Sequence, residues 1–213
     1  MKTDDLISLL ATGIEPVDRR QFARRLSLAM LVAIVGACLL TVVLFGVRAD
    51  IVEVAATPLF WAKLALPAAL MVAALLVFIR LARPGLEVGI RWGGIGVPVL
   101  GVWAATLLVL SAVPEDQQVS LIFGRTWRTC AFNIVLLSIP GFFALLRAMR
   151  ELAPTRLRLA GGVTGLLASS TATLAYCLHC PEMEVPFWGV WYVLGMAIPT
   201  LMGAVLGPRW LRW

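Results

Sequence analysis

The stretch that decides the fold is LSLAMLVAIVGACLLTVVLFGV, residues Leu26 to Val47, which carries no charged side chain. As a helix it would be about 33 Å long, at 1.5 Å per residue. That length crosses the hydrocarbon core of a bilayer, which is about 30 Å thick. Hydrophobic residues make up 61% of the whole chain and charged residues only 14%, whereas soluble domains carry about 25% charged residues. We therefore expect an integral membrane protein.

Five further apolar stretches of similar length follow the first one. A segment in lipid must satisfy its own backbone hydrogen bonds, so each stretch should be a helix. The predicted fold is therefore all-α, a polytopic bundle of six transmembrane helices. The predicted spans are residues 26–47, 58–79, 92–113, 129–146, 159–178 and 185–207. They lie between an N-terminal segment, residues 1–25, and a short tail, residues 208–213.

The basic residues are divided unequally between the two sides of this predicted bundle. If the N-terminus is cytoplasmic, the inner segments carry 14 of the 18 Lys and Arg residues. The outer segments carry the remaining four, which are Arg48, Lys63, Arg125 and Arg128. Cytoplasmic loops are enriched in Lys and Arg, so both termini should be cytoplasmic. The net charge of +6 then reflects topology and contact with the lipid bilayer. No basic groove or motif indicates binding to nucleic acid.

The predicted spans contain almost no ionisable residues. Lys63 is the exception, and it lies near the outer end of its span, so we expect it to extend to the membrane interface. The absence of Asp, Glu and His from the middle of the spans argues against a pump or ion-coupled transporter. The sequence also has no P-loop, HExxH motif or nucleophile elbow. We therefore expect a protein that is not an enzyme.

Small residues recur every four positions in the last two predicted spans. The fifth span carries Gly161, Gly165, Ser169 and Thr173, and the sixth carries Gly203 and Gly207. Such stripes allow two helices to approach closely in a membrane. The sequence does not say whether the partner helix belongs to the same chain.

Three cysteines should lie near the same outer membrane surface. Cys130 begins the fourth predicted span, while Cys177 and Cys180 end the fifth as a CxxC pair, a spacing that suits redox chemistry or metal binding. A bacterial periplasm is oxidising, so disulfides persist there. His179 and Glu182 could join the cysteines around a soft or borderline cation. We expect no resident cofactor beyond a heavy-metal ion bound transiently by these residues.

The N-terminal segment has the pattern of a short amphipathic helix. Thr3 can cap it, and Asp4 and Asp5 suit the positive end of its dipole. A helix of about ten residues is marginal alone and needs a surface to dock on. The basic residues 19–25 favour the membrane, which leaves the acidic and apolar tip for a protein partner; the alternative is an arm without a partner. The candidate partner-binding residues are Thr3, Asp4, Asp5, Leu6, Ile7 and Leu10.

Three motifs lie along the chain. The first is MKTDDLI at Met1–Ile7, and the second runs from Arg150 through Ala153-Pro154-Thr155 to Gly161-Gly162. The most specific runs from Tyr176 through Cys180-Pro181-Glu182 to Phe187, followed by Trp191-Tyr192 and Gly195. Together these motifs resemble the NrsF family of six-span membrane anti-sigma factors.

The resemblance implies a function that the residues alone do not supply. Members of the family hold an extracytoplasmic-function sigma factor at the inner membrane and release it under heavy-metal or oxidative stress, sensed through two cysteines. The matching positions here are Cys130 and Cys180. Cys177 is an additional cysteine, so the pairings 130–180, 130–177 and 177–180 all stay open. A change at these thiols would alter how the fourth and fifth helices pack and weaken the sigma contact at the N-terminal segment.

Two other classes of protein remain compatible with the same residues. A periplasmic-facing thiol oxidoreductase would use the CxxC pair and would need a bound quinone. A small metal or solute transporter would use the bundle itself and would show flux in liposomes.

Overall fold

The computed structural model describes residues 3, 5, 8, 19–83, 85–86 and 88–212. This part of the chain contains helices and no strands, so the all-α prediction is confirmed. The helices are α1 (Arg19–Leu40, continued by a π-helical turn, Thr41–Phe45), α2 (Ile51–Ala55), α3 (Pro58–Leu81), α4 (Gly93–Ser111, preceded by a 3-10 turn, Gly89–Trp92), α5 (Glu115–Phe123), α6 (Trp127–Arg150), α7 (Leu157–Tyr176) and α8 (Val185–Trp210).

Five helical segments of the described chain are long and apolar enough to cross a membrane. They are Gln21–Phe45, Pro58–Leu81, Gly89–Ser111, Glu115–Arg150 and Val185–Trp210. The fifth predicted span corresponds to α7, which is not among them. Its sequence, LRLAGGVTGLLASSTATLAY, is rich in Gly, Ser and Thr, and these residues lower its hydropathy.

Helix α7 lies at the centre of the bundle. Of its 20 residues, 16 are buried, and it packs against α1, α3, α6 and α8. A helix enclosed by other helices needs small side chains for close packing rather than a surface that faces lipid. Its position therefore explains why α7 carries so many small and polar side chains.

The closest packing in the bundle joins α7 to α8. A Cβ atom added to Gly161 would meet the backbone carbonyl of Gly203, and one added to Gly165 would meet the carbonyl of Pro199. Ser169 Oγ also donates a hydrogen bond across the interface to the Met196 carbonyl oxygen, at 3.2 Å. The close approach predicted from the small-residue stripes is confirmed, and the partner helix belongs to the same chain.

Replacement of Gly165 by Ala is expected to destabilise the fold strongly. The new methyl group would collide with backbone, which cannot move aside as a flexible side chain can. We expect the free energy of unfolding to fall by about 3 kcal/mol, the upper end for overpacked cores. Thermal unfolding in detergent, followed by circular dichroism, measures the change.

The matched control is Gly101→Ala in α4, where nothing lies within 4 Å of an added Cβ. Alanine favours a helix over glycine by about 1 kcal/mol, so this variant should be unchanged or slightly more stable. Equal unfolding temperatures for Gly165→Ala and Gly101→Ala would contradict the packing described.

The long helices alternate in direction, which gives the bundle two distinct ends. At one end, which we call the arginine end, Arg25 of α1 forms an ion pair with Glu151 after α6, at 2.7 Å. Arg147, Arg150 and Arg209 lie at the same end, where they line one cavity. The opposite end, which we call the thiol end, holds Cys130, Cys177 and Cys180.

The boundaries of several elements differ from the predictions. Helix α1 begins at Arg19, so the basic residues 19–25 continue the first span as helix instead of preceding it. Two short helices, α2 and α5, fill connections at the thiol end and were not predicted. Helix α5 carries Glu115 and Asp116 in its first turn, where carboxylates suit the positive end of the helix dipole.

Candidate functional site

Two of the three predicted sensor cysteines are neighbours at the thiol end. Cys130 lies in the first turn of α6, and Cys180 lies in the segment of residues 177–184 that joins α7 to α8, which we call the CxxC loop. Both side chains are 0% exposed, and the two thiols lie close enough to affect each other's ionisation. None of the four cysteines, all of which the structure describes, forms a disulfide. The fold therefore brings together two residues that are 50 positions apart in sequence.

The third cysteine has a different environment. Cys177 Sγ donates a weak hydrogen bond to the hydroxyl oxygen of Tyr192, at 3.9 Å. On the other side of the pair, the Tyr176 hydroxyl accepts a hydrogen bond from Asn133 Nδ2 at 3.4 Å. Of the three pairings left open by the sequence, 130–180 is the one whose thiols affect each other's ionisation most strongly.

Lys63 is buried beneath the CxxC loop, so the prediction that it extends to the membrane interface is wrong. Its side chain is 0% exposed. Its ammonium group donates hydrogen bonds to the carbonyl oxygens of Cys180, at 2.8 Å, and Glu182, at 2.7 Å. It also lies 5.6 Å from the centre of the Tyr192 ring. These contacts replace the water that a charged group loses on burial, so Lys63 need not reach the solvent.

The helical periodicity of the sequence could have predicted that Lys63 is buried. Leu66, Leu70 and Val77 form part of the buried face of α3, and Lys63 precedes Leu66 by three residues. Residues three and four apart share one face of a helix, so Lys63 belongs to the core face. Hydropathy alone could not show this, because it does not distinguish the faces of a helix.

Other residues hold the CxxC loop in place from two directions. The Arg48 backbone N–H donates to the Leu178 carbonyl oxygen at 3.1 Å, and the Arg48 guanidinium donates to the Cys180 carbonyl oxygen at 3.3 Å. The Glu182 carboxylate accepts hydrogen bonds from the backbone N–H groups of Arg125, at 2.7 Å, and Thr126, at 3.0 Å, just before α6. The loop is thus tied to the segment after α1, to α3 and to the start of α6.

The predicted metal ligands do not converge on one point. The Glu182 carboxylate binds backbone before α6, and His179 Nδ1 lies 3.1 Å from the Gly46 carbonyl oxygen. Among the residues that the structure describes, no group of three or more His, Cys, Asp or Glu side chains is arranged to hold a metal ion. A metal at this end would therefore have two thiols, Cys130 and Cys180, as its nearest pair of soft ligands.

The electrostatics of the pair distinguish its two thiols. The hydrogen bond from Cys130, together with the weaker effect of the Lys63 positive charge, lowers the pKa of the Cys180 thiol from its ordinary value, although burial acts in the opposite direction. A thiolate is the reactive form of cysteine. The environment of Cys180 therefore favours the reactive thiolate.

The second predicted site, at the N-terminus, is described only in part. Thr3 and Asp5 are helical and exposed, in keeping with the predicted amphipathic helix. Asp4, Leu6, Ile7 and Leu10 lie outside the described residues.

Fold and site together define a class of protein: a helical bundle with candidate membrane spans and a buried thiol pair at one end. The model of the family "NrsF: Negative regulator of sigma F" matches residues 10–213. The chain belongs to the NrsF family, which is described by regulation of a sigma factor rather than by catalysis.

Two relatives match the whole chain along their own whole length. One, named "Probable anti-sigma-F factor NrsF", comes from Azospira oryzae and is 44% identical over 213 residues. The other, named "Anti-sigma-F factor NrsF", comes from Caulobacter vibrioides and is 36% identical over 219 residues. No solved structure matches the chain.

Proposed function

We propose that this protein is a membrane anti-sigma factor that holds an extracytoplasmic-function sigma factor at the bacterial inner membrane. The observation that carries the proposal is the full-length similarity to two relatives named as anti-sigma-F factors. The sigma factor is held away from RNA polymerase until a signal releases it. The lipid bilayer is the second partner.

The proposed topology has six spans with both termini in the cytoplasm. Five segments qualify as spans by length and composition. Helix α7 is the sixth, because its 20 residues extend about 30 Å and neighbouring helices enclose it. The arginine end faces the cytoplasm, since cytoplasmic segments are enriched in Lys and Arg. The thiol end then faces the periplasm.

The proposed signal is oxidation of the thiol pair or binding of a soft metal ion. With a peroxide, the Cys180 thiolate attacks one oxygen, the O–O bond breaks, and a sulfenic acid and water form once a proton is taken up. The Cys130 thiol then attacks the sulfenic sulfur, which forms a disulfide and releases a second water. The two thiols together lose two electrons, and the peroxide gains them. A soft metal ion would instead bind the Cys180 thiolate and displace the proton of the Cys130 thiol, so that both sulfurs bind as thiolates.

The CxxC loop can pass this change to the bundle because it contacts three helical regions. Burial of both thiols means that the loop must move for a reagent to reach them. That movement breaks contacts to Arg48, Lys63 and the backbone before α6. The far ends of α1 and α6 meet at the arginine end through the Arg25–Glu151 ion pair. Displacement of these helices is the proposed route to the sigma-binding segment, through a bundle with two states.

The proposed sigma-binding site consists of Thr3, Asp4, Asp5, Leu6, Ile7 and Leu10. An amphipathic helix binds a protein groove through apolar anchors at i, i+3 and i+4. The double substitution Leu6→Asp, Ile7→Asp replaces two anchors with charges. We expect it to weaken sigma-factor binding more than about 100-fold, from about 1.5–3 kcal/mol lost for each anchor.

Co-purification of the sigma factor from detergent-solubilised membranes measures this binding. Ser8→Asp is the matched control, since it adds a negative charge at an exposed helical position of the same segment. It should leave binding nearly unchanged. Undiminished sigma-factor recovery with the double variant would show that the docking assignment is wrong.

A further inference from the structure

A large cavity opens at the arginine end between the last turns of α6 and α8. Its volume is about 950 Å³. Arg147, Arg150 and Glu151 line it from the α6 side, and Arg209 lines it from α8. The thiol chemistry proposed above takes place at the opposite end of the bundle.

The cavity carries an excess of positive charge. Its single carboxylate, Glu151, is already paired with Arg25 at 2.7 Å and with Arg147 at 3.4 Å. Within the described part of the chain, neither Arg150 nor Arg209 has a carboxylate within ion-pair distance. Two arginines therefore remain to bind an anion, and the planar guanidinium group suits the oxygens of a phosphate.

A narrow apolar crevice lies beside this cavity, among partly exposed side chains of α6 and α8. It has a volume of about 80 Å³ and runs between α6 and α8, past Ile139 on one side and Pro199 and Met202 on the other. Phe143 and Trp210 line both spaces, and their stacked rings have centroids 5.8 Å apart. From Arg150 to Ile139 the path along α6 is about 16 Å long. The charged cavity and the apolar crevice are thus adjacent, with Phe143 and Trp210 at their boundary.

We propose that this site binds one anionic phospholipid. The head-group phosphate lies between Arg150 and Arg209, and one acyl chain lies along the partly exposed apolar side chains of Phe143 and Met202. Basic pockets between membrane helices on the cytoplasmic side bind anionic head groups in this way. An acidic peptide fits less well, because a peptide backbone in the crevice would lose its hydrogen bonds to water without replacing them. The inference rests on the proposed membrane insertion but not on sigma-factor binding or thiol chemistry.

Native mass spectrometry of the full-length protein in detergent tests the site, with phosphatidylglycerol and phosphatidylcholine as probes. The wild-type protein should retain one phosphatidylglycerol in preference to phosphatidylcholine. The double variant Arg150→Gln, Arg209→Gln should bind phosphatidylglycerol about 30-fold more weakly, and Arg209→Gln alone about 5-fold more weakly. Met202→Trp, which fills the crevice, should weaken retention of both lipids. Only variants with wild-type helicity by circular dichroism are compared.

The matched control is Arg125→Gln with Arg128→Gln, which removes the same charge at the thiol end. It should retain phosphatidylglycerol as the wild-type protein does. Equal retention of both lipids by the wild-type protein would overturn the proposal. So would equal weakening by the control pair, which would indicate attraction by net charge alone. Normal lipid retention with lost sigma-factor co-purification in the Arg150, Arg209 variant would instead make the cavity a protein-binding surface and would also overturn it.

Discussion

Cells that carry the Cys130→Ser, Cys180→Ser variant are expected to lose induction of sigma-dependent transcription by Cd²⁺ or by peroxide. The two thiols are buried neighbours, and serine can form neither a disulfide nor a strong bond to a soft metal ion. Serine keeps nearly the same size, so the bundle should still fold and hold the sigma factor. Transcripts should therefore stay at their uninduced level under stress, as measured by quantitative reverse-transcription PCR.

Two single variants sharpen this experiment. Cys38→Ser alters a half-buried thiol of α1, which is not part of the Cys130–Cys180 pair, and induction should be normal. Cys177→Ser should retain most of the induction, because Cys177 contacts Tyr192 rather than Cys130. Full induction in the double variant would refute the sensing role, and loss of induction only in Cys177→Ser would assign it to a different pair.

Lys63→Met is expected to destabilise the thiol end and release the CxxC loop. Methionine fills a similar volume but donates no hydrogen bond, so the buried carbonyls of Cys180 and Glu182 lose the ammonium donor. An unsatisfied buried carbonyl costs about 1–3 kcal/mol, and the Cys180 carbonyl keeps only the longer bond from Arg48. The unfolding temperature should fall, and Cys180 should become accessible to a maleimide reagent in the folded protein. Thermal unfolding and mass-spectrometric detection of the labelled residue measure the two effects.

Arg128→Gln is the control for the loss of a cation at the same end. Arg128 also lies over an aromatic ring, 5.2 Å from the centre of Trp127, but it is exposed. Exposed charge interactions contribute about 0–1 kcal/mol, so its unfolding temperature and labelling should hardly change. A Lys63→Met protein with wild-type stability and a protected Cys180 would contradict the role assigned to Lys63.

Much of the fold follows from local sequence patterns, because length and apolar composition decide whether a helix can span a bilayer. The proximity of Cys130 and Cys180 follows from the alternating direction of the helices. The stripe of Gly161 and Gly165 likewise predicts the close contact that α7 makes.

What the sequence could not supply depends on three-dimensional placement. The burial of Lys63 depends on the path of the CxxC loop. Its ammonium group loses contact with water on burial and donates hydrogen bonds to the carbonyls of residues 180 and 182 instead. The hydrogen bonds that the Glu182 carboxylate accepts depend in the same way on the position of the backbone before α6. From composition alone, a charged residue is expected to face the solvent. A tertiary contact can bury it instead.

The most direct test of the account is the distribution of the sigma factor between membrane and soluble fractions. In unstressed cells the sigma factor should sediment with membranes that contain this protein. After brief exposure to Cd²⁺ or peroxide it should move to the soluble fraction, and it should stay with the membranes in the Cys130→Ser, Cys180→Ser strain. A sigma factor that is soluble before stress, or that leaves the membranes equally in both strains, would contradict the central claim.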